Sequence, residues 1–127
     1  MKSVLLLAAI SGLLAVIVGA FGAHILKGLI SPEMLEVYKT GVQYHFYHTF
    51  ALLAVGILMN FKHTKALKWS AYLFIAGIVL FSGSLYMMAI SGVKSFGLIT
   101  PFGGTLWIVA WVLLMVHCKE LTSTKKV

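Results

Sequence analysis

An all-α integral membrane bundle of four transmembrane helices is the fold that three observations on this chain point to. Hydrophobic residues make up 61% of the 127 positions and charged residues only 10%, far from the balance of a water-soluble domain. The apolar residues fall in blocks long enough to cross a bilayer, which takes about 20 residues at about 1.5 Å of helix rise each. Lysines gather between and beside those blocks, where they act as topology signals. The expectation is a single transmembrane domain over residues 1–118 and a polar, disordered cytoplasmic tail over 119–127.

The first helix is expected from Ser3 to Ala23, a stretch without a charge. Its start resembles a secretory signal, but the apolar run exceeds the roughly 7–15 residues of a signal core, so a retained helix is expected. Ser11, Ala15, Gly19 and Ala23 recur every four residues, a small-residue stripe that lets another helix approach closely. Ser31-Pro32-Glu33 then reads as a helix start, with serine as N-cap, proline at the first position and glutamate at the positive end of the dipole. A short surface helix here is possible, or one that runs straight into the second transmembrane helix over Val42–Asn60.

A loop carrying Lys62, Lys65 and Lys68 leads to a third helix from about Trp69 to Ile90, with Trp69 and Tyr72 at interfacial depth. Ser91 to Thr100 forms a second short loop. Thr100-Pro101 reads as N-cap and first position of a fourth helix that reaches about His117, where a cation would complement the helix dipole. Lys2, Lys62, Lys65, Lys68, Lys119, Lys125 and Lys126 fall on one side of this plan, and Lys27, Lys39 and Lys94 on the other. Seven against three places both termini in the cytoplasm.

Composition excludes some functions. A formal charge of +7 suggests nucleic acid in a soluble protein, but the lysines here flank apolar blocks and there is no arginine for bidentate phosphate contacts. Cys118 is the single cysteine, so no internal disulfide forms. No phosphate-binding loop, dinucleotide fingerprint, nucleophile elbow or HExxH motif is present, and no acid–base pair stands out, so no enzyme activity and no cofactor are expected.

The polar and glycine-rich parts of all four helices fall at one expected depth, on the outer side. The candidate polar cluster is His24, Gln43, Tyr44, His45, Tyr47, His48, Ser82, Ser84, Tyr86 and Thr100. His45 and His48 are three apart, and Tyr44 and His48 four apart, so they can line one strip. Ionisable groups at membrane depth face the bundle interior or water and mark functional candidates. The plainer reading is a structural network that locks helices together. His24, His45 and His48 have chemistry suited to zinc or copper, but two histidines three apart make a weak motif and no metal is assigned. Candidate helix-packing residues are Ser11, Ala15, Gly19, Ala23, Gly83, Gly103 and Gly104. His63, in the lysine-rich loop, is expected in solvent.

Four motifs in order carry a family resemblance: Gly19-Ala20-Phe21-Gly22-Ala23-His24, Tyr44-His45-Phe46-Tyr47-His48, Phe81-Ser82-Gly83-Ser84-Leu85-Tyr86 and Thr100-Pro101-Phe102-Gly103-Gly104. Together they resemble the small four-helix membrane family known as domain of unknown function 423, with YgdD-like and YwdK-like members and a relation to transmembrane protein 256. The resemblance covers nearly the whole chain. It implies a membrane location and a four-helix bundle, and brings no reaction, substrate or cofactor with it.

The expected role is a non-enzymatic, multi-pass subunit of the plasma membrane, in contact with lipid, acting as a homo-oligomer or as part of a larger membrane complex. The alternative is a lipid- or small-molecule-binding or transport protein that uses the outer-leaflet His/Tyr/Ser cluster. A membrane enzyme or metalloprotein ranks third.

Overall fold

The structure is a computed structural model that describes residues 2–124. It is all-α, with no strand among those residues. Four long helices run in order: α1 over Lys2–Leu26, α2 over Pro32–Leu58, α3 over Lys65–Ser91 and α4 over Thr100–Thr124. Three helical stretches are long and apolar enough to cross a membrane, Lys2–Leu26, Lys65–Ser91 and Lys94–Ser123.

Helix α2 falls outside that set because its middle carries Gln43, Tyr44, His45, Tyr47, His48 and Thr49. It is also the most enclosed helix. Its buried positions Met34, Tyr38, Gly41, His45, His48, Leu52, Val55 and Met59 alternate in steps of four and three, the seam of a helix packed along its whole length. His45, His48 and Thr49 are therefore sheltered by the neighbouring helices, while Gln43, Tyr44 and Tyr47 lie on the exposed side of α2.

Ser31 caps α2 as expected, its hydroxyl accepting the Met34 amide, and Pro32 occupies the first helical turn. No separate surface helix precedes the span. Nothing after Pro32 breaks the helix, and Met34, Tyr38 and Gly41 keep its first turns packed on the bundle. At 27 residues, α2 extends about 40 Å at about 1.5 Å per residue.

Helix α3 is continuous through a π-helical turn at Ile78–Ser82, between α-helical stretches Lys65–Gly77 and Gly83–Ser91. Gly92 closes it in the left-handed region, at φ +73°, with its amide on the Met88 carbonyl. A short 3₁₀ turn over Lys94–Leu98 leads into α4.

The start and end of α4 both differ from expectation. Thr100 is already helical: the Ile99 carbonyl accepts from Phe102 and Gly103, and the Thr100 hydroxyl bonds Ser84 across to α3 at 2.5 Å. At the other end the helix continues to Thr124 instead of fraying near His117, since Lys119, Glu120 and Leu121 are good helix formers with no breaker among them. Residues 125–127 of the expected tail lie outside the described residues.

Helix α1 packs on α2, α2 on α3, and α3 on α4. Two close approaches set these spacings. A Cβ on Gly41 would come within 2.9 Å of the Tyr86 ring, and one on Gly103 within 2.5 Å of the Phe81 backbone nitrogen. In lipid such contacts stabilise by van der Waals packing, because the membrane removes the hydrophobic drive between helices.

Candidate functional site: a polar-floored groove between α1 and α3

His45 is the midpoint of α2, and its ring is buried. Its Nε2 bonds Ser11 Oγ of α1 at 3.0 Å and its Nδ1 bonds the Tyr86 hydroxyl of α3 at 2.9 Å. Ser11 Oγ in turn meets Thr49 Oγ1 at 2.6 Å. The result is a chain Thr49–Ser11–His45–Tyr86 that crosses three helices. Hydroxyls flank both ring nitrogens, so the chain can run in either direction, with the His45 proton on either nitrogen.

His48 faces elsewhere. Its Nδ1 lies 2.8 Å from the Tyr44 carbonyl, which can only accept, so Nδ1 carries the proton. Its Nε2 accepts the Trp111 indole N–H at 3.2 Å. That pair of bonds fixes one neutral tautomer. Trp107 lies under the ring at a centroid distance of 3.6 Å and gives its own N–H to the Phe74 carbonyl. Trp107 needs the room left by Gly77, where a Cβ would sit 2.2 Å from the indole.

The expected cluster thus divides. His45 and Tyr86 join Ser11 and Thr49 toward α1, while Tyr44 and His48 join Trp107 and Trp111 toward α4. Ser82 donates to the Gly41 carbonyl at 2.8 Å, and Ser84 pairs with Thr100. Gln43 donates to Tyr47 at 2.6 Å, an exposed pair along one helix. His24 is exposed at the end of α1 and belongs to neither network. Among the described residues no group of three His, Cys, Asp or Glu is placed to hold a metal ion.

The small-residue stripe of α1 is used within the chain. Ser11 bonds His45, Ala15 is fully buried, and a Cβ on Gly19 would meet Val42 at 3.0 Å. The side chain of Ala23 lies outside the described residues. On the other helices Gly103 is a close-contact position, Gly104 makes room only at ordinary distances, and Gly83 faces open space.

Four partners were not singled out from the sequence: Thr49, Tyr38, Trp107 and Trp111. Tyr38 stacks near Tyr86, centroids 5.3 Å apart, and gives its hydroxyl proton to the Val18 carbonyl. Trp107 and Trp111 are four apart on one face of α4, a spacing visible in the sequence. His63 is exposed. His117 is fully buried rather than at a helix end, with Nδ1 on Thr64 Oγ1 at 2.9 Å.

The His45 chain forms the floor of a groove. Leu7, Ile10 and Leu14 of α1 face Ile75, Ile78 and Val79 of α3 across a hollow of about 190 Å³. Ser11, His45 and Leu52 line its base. Ile78 and Val79 belong to the π turn, a distortion often found at functional positions. The walls are apolar and the hollow opens at the bundle surface, with Ser11 and His45 the polar side chains of its lining.

The profile of a family described as "Protein of unknown function (DUF423)" matches residues 18–104. The chain is 44% identical to UPF0382 membrane protein YwdK of Bacillus subtilis, over 91% of this chain and 95% of that protein. It is 40% identical to UPF0382 membrane protein SAB0533 of Staphylococcus aureus, over 91% and 94%. It is 37% identical to UPF0382 inner membrane protein YgdD of Escherichia coli K12, over 94% and 92%. No solved structure matches the chain.

Proposed function

This chain belongs to the DUF423 family of membrane proteins, and from that premise we propose that it is a non-catalytic, multi-pass protein of the plasma membrane that binds an amphiphile between α1 and α3. All four helices cross the bilayer, and both termini lie in the cytoplasm. The enclosure of the polar seam of α2 supports its spanning, and the seven-to-three lysine distribution supports the orientation.

One observation carries the binding reading: a half-buried serine bonded to a buried histidine lies at the base of an apolar groove on the bundle surface. A hydrocarbon chain suits the walls, and at the base Ser11 Oγ keeps one lone pair for a ligand hydroxyl, its proton and the His45 ring nitrogens being engaged within the hydrogen-bonded chain. The fixed tautomer of His48 favours holding over proton-transfer chemistry. Although Ser11 Oγ stands 3.0 Å from His45 Nε2, the other ring nitrogen meets a tyrosine hydroxyl and not the carboxylate that orients and charges a catalytic histidine. The accessory-subunit and homo-oligomer reading loses its main sequence support, because α2 already occupies the small-residue stripe of α1.

Native mass spectrometry of protein extracted gently from its own membranes tests the proposal. A lipid-sized adduct is expected on the wild type and on Leu13→Trp, whose site is lipid-facing and outside the groove. It is expected to vanish in Leu7→Trp, which fills the groove. A bare wild-type chain, or equal adducts on both variants, overturns it.

A further inference from the structure

A second hollow, also about 190 Å³, adjoins the first and shares Leu7 and Ile75 with it. It lies toward the end of the bundle where α1 begins and α2 ends, and its lining changes character. Ser3, His63, Lys68 and Tyr72 supply polar groups that the first hollow lacks. From Lys68 to Val79 the two hollows extend over about 16 Å of α3 at about 1.5 Å per residue. The two hollows are neighbours along α1 and α3, the second carrying Lys68 and His63 at the bundle end and the first apolar and ending at Ser11 and His45.

We propose that these two hollows together take an anionic lipid from the leaflet at that end, with the headgroup against Lys68 and His63 and one acyl chain along Leu7 and Ile75 toward the Ser11–His45 floor. The inference rests on the amphiphile reading above and adds the charge and the leaflet.

The charged side chain that lines the mouth, Lys68, is basic. Lys62 and Lys65 belong to the same segment as His63 and Lys68, and Lys2 precedes Ser3 on the facing helix. Of the three acidic side chains in the sequence, Glu33 and Glu36 stand at the opposite end of the bundle, and Glu120 stands at this end on the last turns of α4. None of them lines the hollow. Helix α3 also begins here, capped by Thr64, so the positive end of its dipole faces the same region. The Lys68 ammonium lies 5.9 Å from the centre of the Tyr72 ring, which keeps it at the mouth while leaving it exposed. A lysine at the membrane surface attracts anionic headgroups from the same leaflet.

The test is lipid titration followed by native mass spectrometry, with the full chain exchanged into a neutral detergent. The probes are phosphatidylglycerol and phosphatidylcholine with identical acyl chains. Phosphatidylglycerol is expected to bind about five-fold more tightly, the contribution of one lysine near a surface. Lys68→Gln, an exposed substitution that leaves the packing intact, should abolish this preference while keeping phosphatidylcholine binding. Leu7→Trp should remove both. Equal binding of the two lipids by the wild type, with both lost in Leu7→Trp, overturns the anionic inference and leaves the amphiphile reading standing. A preference that survives Lys68→Gln also overturns it, since the charge then acts elsewhere. Binding of neither lipid, or binding indifferent to Leu7→Trp, overturns both.

Discussion

The imidazole of His48 lies flat on the indole of Trp107, ring centroids 3.6 Å apart and planes parallel. The contact joins α2 to α4 across the top of Phe74, whose ring also sits 5.9 Å from His48 and 5.1 Å from Trp111. Three helices thus meet at one aromatic junction, with each indole N–H satisfied by a carbonyl or an imidazole nitrogen. In a bilayer, where an unpaired N–H has no water to turn to, packing and hydrogen bonding there reinforce each other.

Trp107→Ala should therefore be the most damaging single change at the junction. Trp107 is 3% exposed, so truncation leaves a cavity under His48 and removes the bond to the Phe74 carbonyl. The expected loss is about 3–5 kcal/mol. Trp107→Phe keeps a stacking ring and should lose far less, about 0.6 kcal/mol for the missing hydrogen bond plus a share of packing. Thermal unfolding in detergent distinguishes the two. Similar melting for both variants would show that the stack carries no weight.

Two glycines, Gly103 of α4 and Gly83 of α3, should respond in opposite directions. A Cβ at Gly103 would stand 2.5 Å from the backbone nitrogen of Phe81, which cannot rotate away, so Gly103→Ala should force α3 and α4 apart at a cost of about 1–3 kcal/mol. Gly83 has nothing within 4 Å of the same position. Gly83→Ala should be neutral or stabilising, by up to about 1 kcal/mol from helix propensity. Melting temperatures measured side by side check the contrast. Destabilisation by Gly83→Ala would place a neighbour where the structure leaves space.

These glycines show where reading the sequence succeeds and stops. The helix count, the Ser31 cap and the inward stripe of α2 all follow from local chemistry: Met34, Tyr38, Gly41, His45, His48, Leu52 and Val55 already lie at seam spacing in the sequence. Which neighbour each one meets does not follow. His45 and His48 are three apart on one stripe, yet one turns to Ser11 and the other to Trp111, because helix order and rotation are set by packing between helices. The π turn at Ile78–Ser82 has no local signature in Ile-Val-Leu-Phe-Ser. The groove is less legible still, since it exists only because α1 and α3 both lean on α2 without closing on each other.

The spanning of α2 has a direct test. In a Cys118→Ser background, which removes the one exposed native thiol, single cysteines replace Lys39, Lys65 and Lys94. With four spans and cytoplasmic termini, Lys39→Cys and Lys94→Cys react with a membrane-impermeant maleimide added outside intact cells, and Lys65→Cys reacts only after lysis. If α2 did not cross, Lys39→Cys and Lys65→Cys would share a side and react alike.

Thr64 ties the opposite end of the bundle, and its replacement should act on two helices at once. Its hydroxyl oxygen accepts the Leu67 amide at 3.2 Å as the N-cap of α3, and the same group lies 2.9 Å from His117 Nδ1 of α4. The hydroxyl can donate to Nδ1 or accept from it, so Thr64 serves either tautomer of His117 and the ring's other nitrogen is Nε2. That atom is buried and has no hydrogen-bond partner among the described residues. Thr64→Ala would remove a cap worth about 1 kcal/mol. It would also strip the ring of its remaining partner, at a further cost of about 1–3 kcal/mol. Thr64→Ser keeps both bonds and should unfold close to wild type. His117→Phe replaces a half-satisfied polar ring by an apolar one of similar shape, so in the Thr64→Ala background it should recover part of the loss. Unfolding of the three variants and the double variant in one detergent decides the matter: strict additivity of Thr64→Ala and His117→Phe would mean that the two side chains do not depend on each other.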